Sequence, residues 1–203
     1  SEGRANYKAV TKDGKDEYVF VDYKQSYTFD HNHFFPRIWG WMEPSHAQFY
    51  RQYLGLSKNE SPTAIDNYRF FFGYQVNWMY WRYFMWNYVG RQNDVEGQGE
   101  PQHGNWISGI TFIDKMFGKG DVNLLQDSLK NNKARNQLYF LPFLLGIAGM
   151  VYHYKRDKKN FAVIGLFFFF TGLAIQLYIN NTPLQPRERD YAYVSTYAFA
   201  IWI

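Results

Sequence analysis

The residues best suited to chemistry form one short charged run between two apolar segments, residues 161–179 and 191–203. The run consists of four consecutive charged residues: Arg187, Glu188, Arg189 and Asp190. Arginine presents a forked set of donors that matches phosphate oxygens, and a carboxylate can act as a general acid or base. The run therefore predicts a phosphate site at a membrane surface. The structural alternative is a set of internal ion pairs that fixes a juxtamembrane loop.

A second polar cluster, Arg91 to Asp94, directly follows a strongly aromatic segment. Both clusters adjoin segments that favour the membrane interface, so both should lie at headgroup depth, where a lipid phosphate also lies. We predict that they face one external cleft. The predicted phosphate ligands are Arg91, Arg187 and Arg189. The candidate catalytic carboxylates are Asp94, Glu188 and Asp190.

Composition excludes several other classes of function. The net charge of +4 gives no reason to expect nucleic-acid binding, and the absence of cysteine rules out disulfides and thiolate metal sites. His31 and His33 are two residues apart without a clear third ligand, so ordinary polar loop residues are favoured over a metal site. A divalent metal is therefore not expected, and the residues identify no particular cofactor.

The segment that precedes the second cluster is predicted to be a long helix, residues 63–88, that begins at a Ser61–Pro62 cap. Arg69 and Arg82 would be costly against lipid, so this helix should lie at the interface or inside a bundle. Two roles stay open for Arg82, packing and catalysis. Before this helix, Ser45 is a predicted N-cap for a short helix over residues 46–54, and a small β-hairpin is predicted around residues 18–29.

Two segments have the length and apolarity of membrane spans: residues 137–154 and 161–179. In the first of them, Gly146 and Gly149 would permit close helix contacts. A basic link, residues 155–159, joins the two segments, but basic residues on both sides leave the orientation open.

These elements predict a mainly α, multi-pass integral membrane protein fragment with interfacial aromatic helices and a small irregular N-terminal region. Three regions are expected. Residues 1–60 form an extramembrane region, and residues 61–136 hold the aromatic helix and an external loop. Residues 137–203 hold a helical hairpin, the charged loop and the start of another apolar helix. The first residue is not Met and the last lie in an apolar run, so we expect an internal or C-terminal piece of a longer protein.

Four stretches carry a resemblance to a known family: residues 83–94, 104–109, 182–193 and 197–202. They resemble a bacterial multi-pass membrane family, formerly a domain of unknown function, that is grouped with protein O-mannosyltransferase-like glycosyltransferases of the GT-C type. The resemblance implies an inner-membrane enzyme with loop 180–190 on the periplasmic side and a polyprenyl-phosphate-linked sugar as donor. The implied partners are membrane lipids and an envelope protein acceptor. The family's acidic catalytic residue would lie upstream of this chain, so none is carried over.

Two functions therefore stand side by side. The first is transfer of a sugar from a polyprenyl-phosphate carrier to an envelope protein. The alternative is a non-catalytic membrane scaffold or envelope assembly subunit, because aromatic surfaces and polar loops also suit partner binding. A transporter is disfavoured, because the two apolar segments lack ionisable residues in their interiors.

Overall fold

The computed structural model describes residues 2–12, 14–25, 33–119, 121, 124–184 and 190–203, with the side chains of residues 2, 3, 25 and 190–195 excepted. The chain divides into two compact units, Ser1–Phe34 and Phe35–Ile203. The second unit holds the aromatic helix, the loop that follows it and the apolar helices, and therefore every described part of the candidate site.

The first unit is an antiparallel β-hairpin of two long strands, β1 (Glu2–Lys12) and β2 (Lys15–Gln25). Gly14 makes the turn with a φ of 74°, which a glycine adopts without strain. We predicted a hairpin later in the chain, with its first strand around Tyr18 and its second at residues 27–29. The Tyr18 segment is instead the second strand, and its partner is the polar segment before it. Residues 26–32, which include His31 and the other predicted strand, lie outside the described residues.

A 3₁₀ turn at Gly40–Met42 and then a short helix, α1 (Pro44–Leu54), open the helical part of the second unit. Helix α1 begins earlier than predicted, because Pro44 rather than Ser45 leads the first turn, where a missing N–H does no harm. Gly55 ends the helix in the left-handed conformation, with a φ of 74°, as its position after the last helical residue indicates.

The predicted long helix is confirmed as a continuous run of three segments: α2 (Ala64–Phe70), a π-helical segment (Phe71–Trp81) and α3 (Arg82–Tyr88). It is capped by Thr63 rather than Ser61. The Thr63 hydroxyl accepts from the Asp66 N–H, and the Asp66 carboxylate accepts from the Thr63 N–H. This reciprocal pair is a capping box, which satisfies two backbone donors of the first turn.

A small sheet follows the long helix and fixes the loop that contains the second polar cluster. Strand β3 (Gly90–Arg91) pairs antiparallel with β4 (Asn136–Gln137), and Arg91 also forms an isolated bridge with Trp106. Two short helices, α4 (Thr111–Met116) and α5 (Asp127–Lys130), lie between these strands in sequence.

The remaining helices are α6 (Leu141–Arg156), α7 (Lys158–Thr171), α8 (Leu173–Ile179) and a 3₁₀ helix (Asp190–Trp202). The 3₁₀ helix contacts both α6 and α7. Its Phe199 and Trp202 share a hydrophobic core with Phe84 and Trp86 of the long helix, against which Phe143 and Phe168 also pack. The long helix, α6 and α7 are thus joined through one apolar core.

The prediction of a multi-pass membrane protein is wrong. Among the described residues, one helix, Lys158–Ile179, is long and apolar enough to cross a membrane. The other predicted span fails because β4 occupies its first residue and Tyr139 and Phe140 turn the chain with φ angles of 52° and 61°. Helix α6 as a whole has 16 residues, which give about 24 Å at 1.5 Å per residue, less than a hydrocarbon core of about 30 Å.

Candidate functional site

The candidate site is built around the indole of Trp86. The Arg82 guanidinium lies 4.3 Å from its ring centre and the Arg91 guanidinium lies 4.1 Å from it. Trp86 is buried, and its indole N–H has no hydrogen-bond partner among the described residues. A tryptophan thus holds two cations while its own donor stays uncommitted, an arrangement that suits an anion.

Arg91 is the residue of this cluster with the most donor capacity to spare. It is half-buried, and its Nε donates to the Asn93 carbonyl at 3.3 Å. Its two terminal nitrogens make no hydrogen bond with the described residues, and neither described ion pair, Arg69–Asp66 or Lys115–Asp121, involves it. The Arg91 fork can therefore accept two oxygens of a phosphate.

Arg82 lies deeper, with 4% of its surface exposed. Its Nε donates to the Trp78 carbonyl and its Nη1 to the Gly104 carbonyl, both at 2.9 Å, and the Trp78 ring centre is 4.3 Å away. Of the two roles left open by the sequence, this geometry favours packing, because these contacts bind the arginine into the protein.

Lys119 adds a third cation. Its Nζ donates to the Asn105 Oδ1 at 3.2 Å and lies 4.9 Å from the Trp106 ring centre. The pKa of Lys119 is lowered from 10.5 to about 8, first by burial and then by the positive charge of Arg82, while the negative charge of Asp114 acts in the opposite direction. The site therefore concentrates positive charge in a partly dry environment.

Buried amides hold the glycine-rich loop that carries these residues. Asn93 Nδ2 donates to the Gln102 carbonyl at 2.9 Å, and its Oδ1 accepts from the N–H groups of Gly104 and Val95 at 2.8 and 3.2 Å. Gln92 donates to the Pro101 carbonyl at 3.0 Å. These side chains satisfy backbone groups that the loop, lacking regular structure, cannot pair within itself.

Asp114, in α4, also satisfies backbone donors, here those of the residues just before that helix. Its carboxylate accepts from the Ser108 N–H and hydroxyl at 2.7 and 2.8 Å, and from the Gly109 N–H at 3.1 Å. It is 3% exposed. With three donors committed to it, Asp114 is a structural carboxylate rather than a candidate base.

The structure describes some of the predicted site residues and leaves others undescribed. Arg91 belongs to the Trp86 cluster, whereas Asp94 is exposed and accepts from Asn132 Nδ2 at 2.7 Å. Arg187, Glu188 and Arg189, and the side chain of Asp190, lie outside the described residues. The predicted cleft shared by the two arginine clusters therefore stays a prediction.

Sequence reasoning missed the contribution of Lys119 and the scaffold role of Asp114. The sequence did contain a signal for the contact between Arg82 and Trp86, because the two residues are four positions apart and share a helix face. Lys119 comes to the site only through the fold of the loop, and no spacing rule connects it to Trp86.

The same unit exposes an extensive apolar surface on α6 and α7. The window of Lys158–Ile179 that qualifies as a span has a mean hydropathy of 2.1 and is only 11% buried. The exposed large side chains on these two helices are Leu141, Leu144, Leu145, Ile147, Val151, Tyr152, Tyr154, Val163, Leu166, Phe167, Phe169 and Phe170. An apolar surface of this extent marks an interaction site for lipid or for protein.

Comparison with known proteins gives one finding. Residues 1–72 match a family of unknown function, DUF8416. No curated protein and no solved structure matches the chain. The family match ends before Arg82, so the Trp86 cluster lies outside it.

The lowered pKa of Lys119 leads to a first prediction. Its contribution should make the free energy of unfolding increase as the pH rises from about 8 to about 10.5. Below pH 8 the folded protein holds a buried charge, whereas between these values it is neutral and the unfolded chain still binds the proton. Lys119→Met should remove this increment in denaturant unfolding measured at pH 7 and 9.5. Lys133→Met, at an exposed position, should retain it. An equal pH dependence in wild type and Lys119→Met would contradict the burial.

Proposed function

We propose that this chain binds the phosphate of a polyprenyl-phosphate-linked sugar at a membrane surface and takes part in transfer of that sugar to an envelope protein. One observation carries the proposal: the Arg91 guanidinium, whose terminal nitrogens make no hydrogen bond with the described residues, lies against the same indole as Arg82, and the positive charge of Arg82 also acts on Lys119. Three cations close together repel one another, and a bound anion relieves that repulsion.

The donor's chemistry fits this cluster. The link between a polyprenyl chain and a sugar is a phosphodiester with one negative charge, and transfer of the sugar adds negative charge to the departing phosphate. Positive groups fixed in a partly dry site stabilise that charge more strongly than water-exposed groups do. Arg91 can contact the phosphate directly, while Lys119 and Arg82 contribute charge from behind it.

Contact with lipid is proposed through the exposed apolar faces of α6 and α7. The core that contains Trp86 also contacts Phe143 of α6 and Phe168 of α7, so the cationic cluster is joined to these faces by packed side chains. Lys155, Arg156, Lys158 and Lys159 surround the junction of the two helices and can contact anionic headgroups. The inner-membrane location, with loop 180–190 on the periplasmic side, stays a prediction.

The described carboxylates differ in their ability to activate an acceptor hydroxyl. Asp94 is exposed and could reach an acceptor, whereas Asp114 is committed to its loop. Glu188 and Asp190 remain predicted carboxylates of the same site.

Transfer of labelled mannose from polyprenyl phosphomannose in vesicles to an envelope protein tests the proposal. Wild-type protein should float with vesicles and support transfer, and Arg91→Ala should float equally while transfer falls at least 10-fold. Flotation without any transfer by wild type would instead favour the alternative function, a membrane scaffold. Failure to float would contradict the membrane contact.

A further inference from the structure

A polar groove of about 500 Å³ lies next to the Arg91 strand, and no function described above uses it. Its walls come from the end of α5, strand β4 and the residues beside them. The lining residues are Lys130, Asn132, Arg135, Asn136, Gln137 and Tyr139.

Hydrogen bonds within this groove occupy the side-chain oxygens of Asn136 and Gln137, whereas the N–H₂ groups of these two amides have no partner among the described residues. The Asn136 Oδ1 accepts from the Arg91 N–H at 2.8 Å, and the Gln137 Oε1 accepts from the Tyr139 hydroxyl at 3.3 Å. The Nδ2 of Asn136 and the Nε2 of Gln137 make no hydrogen bond with the described residues. Two amides thus present their N–H₂ groups while their oxygens are committed.

The two cations of the groove follow the same pattern. One terminal nitrogen of Arg135, Nη1, donates to the Lys130 carbonyl at 3.1 Å. The other nitrogens of the guanidinium make no hydrogen bond with the described residues. The Nζ of Lys130 makes no hydrogen bond or ion pair with the described residues. An anion surrounded by further acceptor oxygens meets all of these donors, since amide groups suit hydroxyl oxygens and cations suit phosphate.

The groove is hydrogen-bonded to the first and last residues of the second polar cluster, Arg91 and Asp94. Asn136 holds the Arg91 backbone, and Asn132 donates to the Asp94 carboxylate at 2.7 Å. A ligand in the groove would therefore have an exposed carboxylate close to it on the Asn132 side. This carboxylate favours a ligand with hydroxyl groups over inorganic phosphate alone.

We propose that this groove is a binding site for a hexose phosphate. The inference goes beyond the function proposed above, because binding in the groove does not require that any sugar be transferred. The hexose phosphate can be a free sugar phosphate or the headgroup of a lipid-linked sugar, and the two sources are separated by measurement.

Isothermal titration of the full chain with mannose 1-phosphate, methyl mannoside and inorganic phosphate tests the site. Mannose 1-phosphate should bind more tightly than either of its parts. Lys130→Gln should weaken it about 10-fold, the equivalent of one charge-assisted hydrogen bond. Lys133→Gln is the matched control, because it removes the same charge three residues away at an exposed position outside the groove, and it should leave the affinity unchanged.

Several results would overturn the site: no binding of mannose 1-phosphate, equal affinity for inorganic phosphate, or equal losses in Lys130→Gln and Lys133→Gln. Vesicles with and without polyprenyl phosphomannose distinguish the source, since a lipid-linked ligand makes vesicle binding depend on Lys130. Arg91→Ala, which tests the proposed function, should retain binding of mannose 1-phosphate. Failure of the groove and failure of the Trp86 cluster are therefore distinguishable.

Discussion

Gly149→Ala should destabilise the second unit by about 3 kcal/mol or more, because α6 and the 3₁₀ helix have no room for a methyl group between them. A Cβ added at Gly149 would overlap the backbone carbonyl of Trp202, which cannot rotate away as a side chain could. Denaturant unfolding monitored by tryptophan fluorescence would measure the loss.

Gly165→Ala is the matched control for this substitution. Gly165 is also inside a helix, α7, but a Cβ there has nothing within 4 Å. The same change should stabilise the protein by roughly 0.5–1 kcal/mol, because alanine favours the helix. Equal effects at the two glycines would contradict the close contact between α6 and the 3₁₀ helix.

Asn93→Ala should cost about 3 kcal/mol of unfolding free energy. Asn93 is fully buried, and its loss leaves the Gly104 and Val95 N–H groups and the Gln102 carbonyl without their partner. Each buried group that loses its hydrogen bond costs about 1–3 kcal/mol, partly offset where water enters. Because the same loop supplies the carbonyl that binds Arg82, anion binding should weaken with stability.

Asn131→Ala provides the comparison, since Asn131 is exposed and its side chain makes no hydrogen bond with the described residues. It should change the unfolding free energy by less than about 0.5 kcal/mol. If Asn93→Ala were as mild as Asn131→Ala, the loop would not depend on its buried amides.

Local signals predicted the long helix and the close-contact glycine of α6. Pro62, the aromatic spacing and Gly90 bounded the helix to within a residue or two, although the capping residue is Thr63. Gly149 was expected to allow close helix contact, and it does so against the 3₁₀ helix. Such features depend on residues adjacent in sequence, which is why pattern reasoning reached them.

Features set by distant residues escaped prediction. Strand β1 is mostly polar, so only its pairing with β2 identifies it. The start of α6 depends on the ladder between Arg91 and Asn136, 45 residues apart. The multi-pass prediction failed because residues 137–154 were counted as one helix, whereas this ladder places Gln137 in β4 and α6 begins only at Leu141. The Trp86 cluster depends in the same way on a loop that brings Lys119 back to Asn105 and Trp106.

The most direct test of the central claim is the affinity of the purified chain for citronellyl phosphomannose, a short and water-soluble phosphodiester of the proposed donor class. Arg91→Ala should weaken binding about 30-fold, the equivalent of about 2 kcal/mol for a two-donor contact with an anion. Arg91→Lys keeps the charge without the fork and should lose less. Arg69→Ala, which removes an exposed arginine of the long helix, should bind as wild type does. Unchanged affinity in Arg91→Ala, or no binding by wild type, would contradict a phosphate site at Trp86.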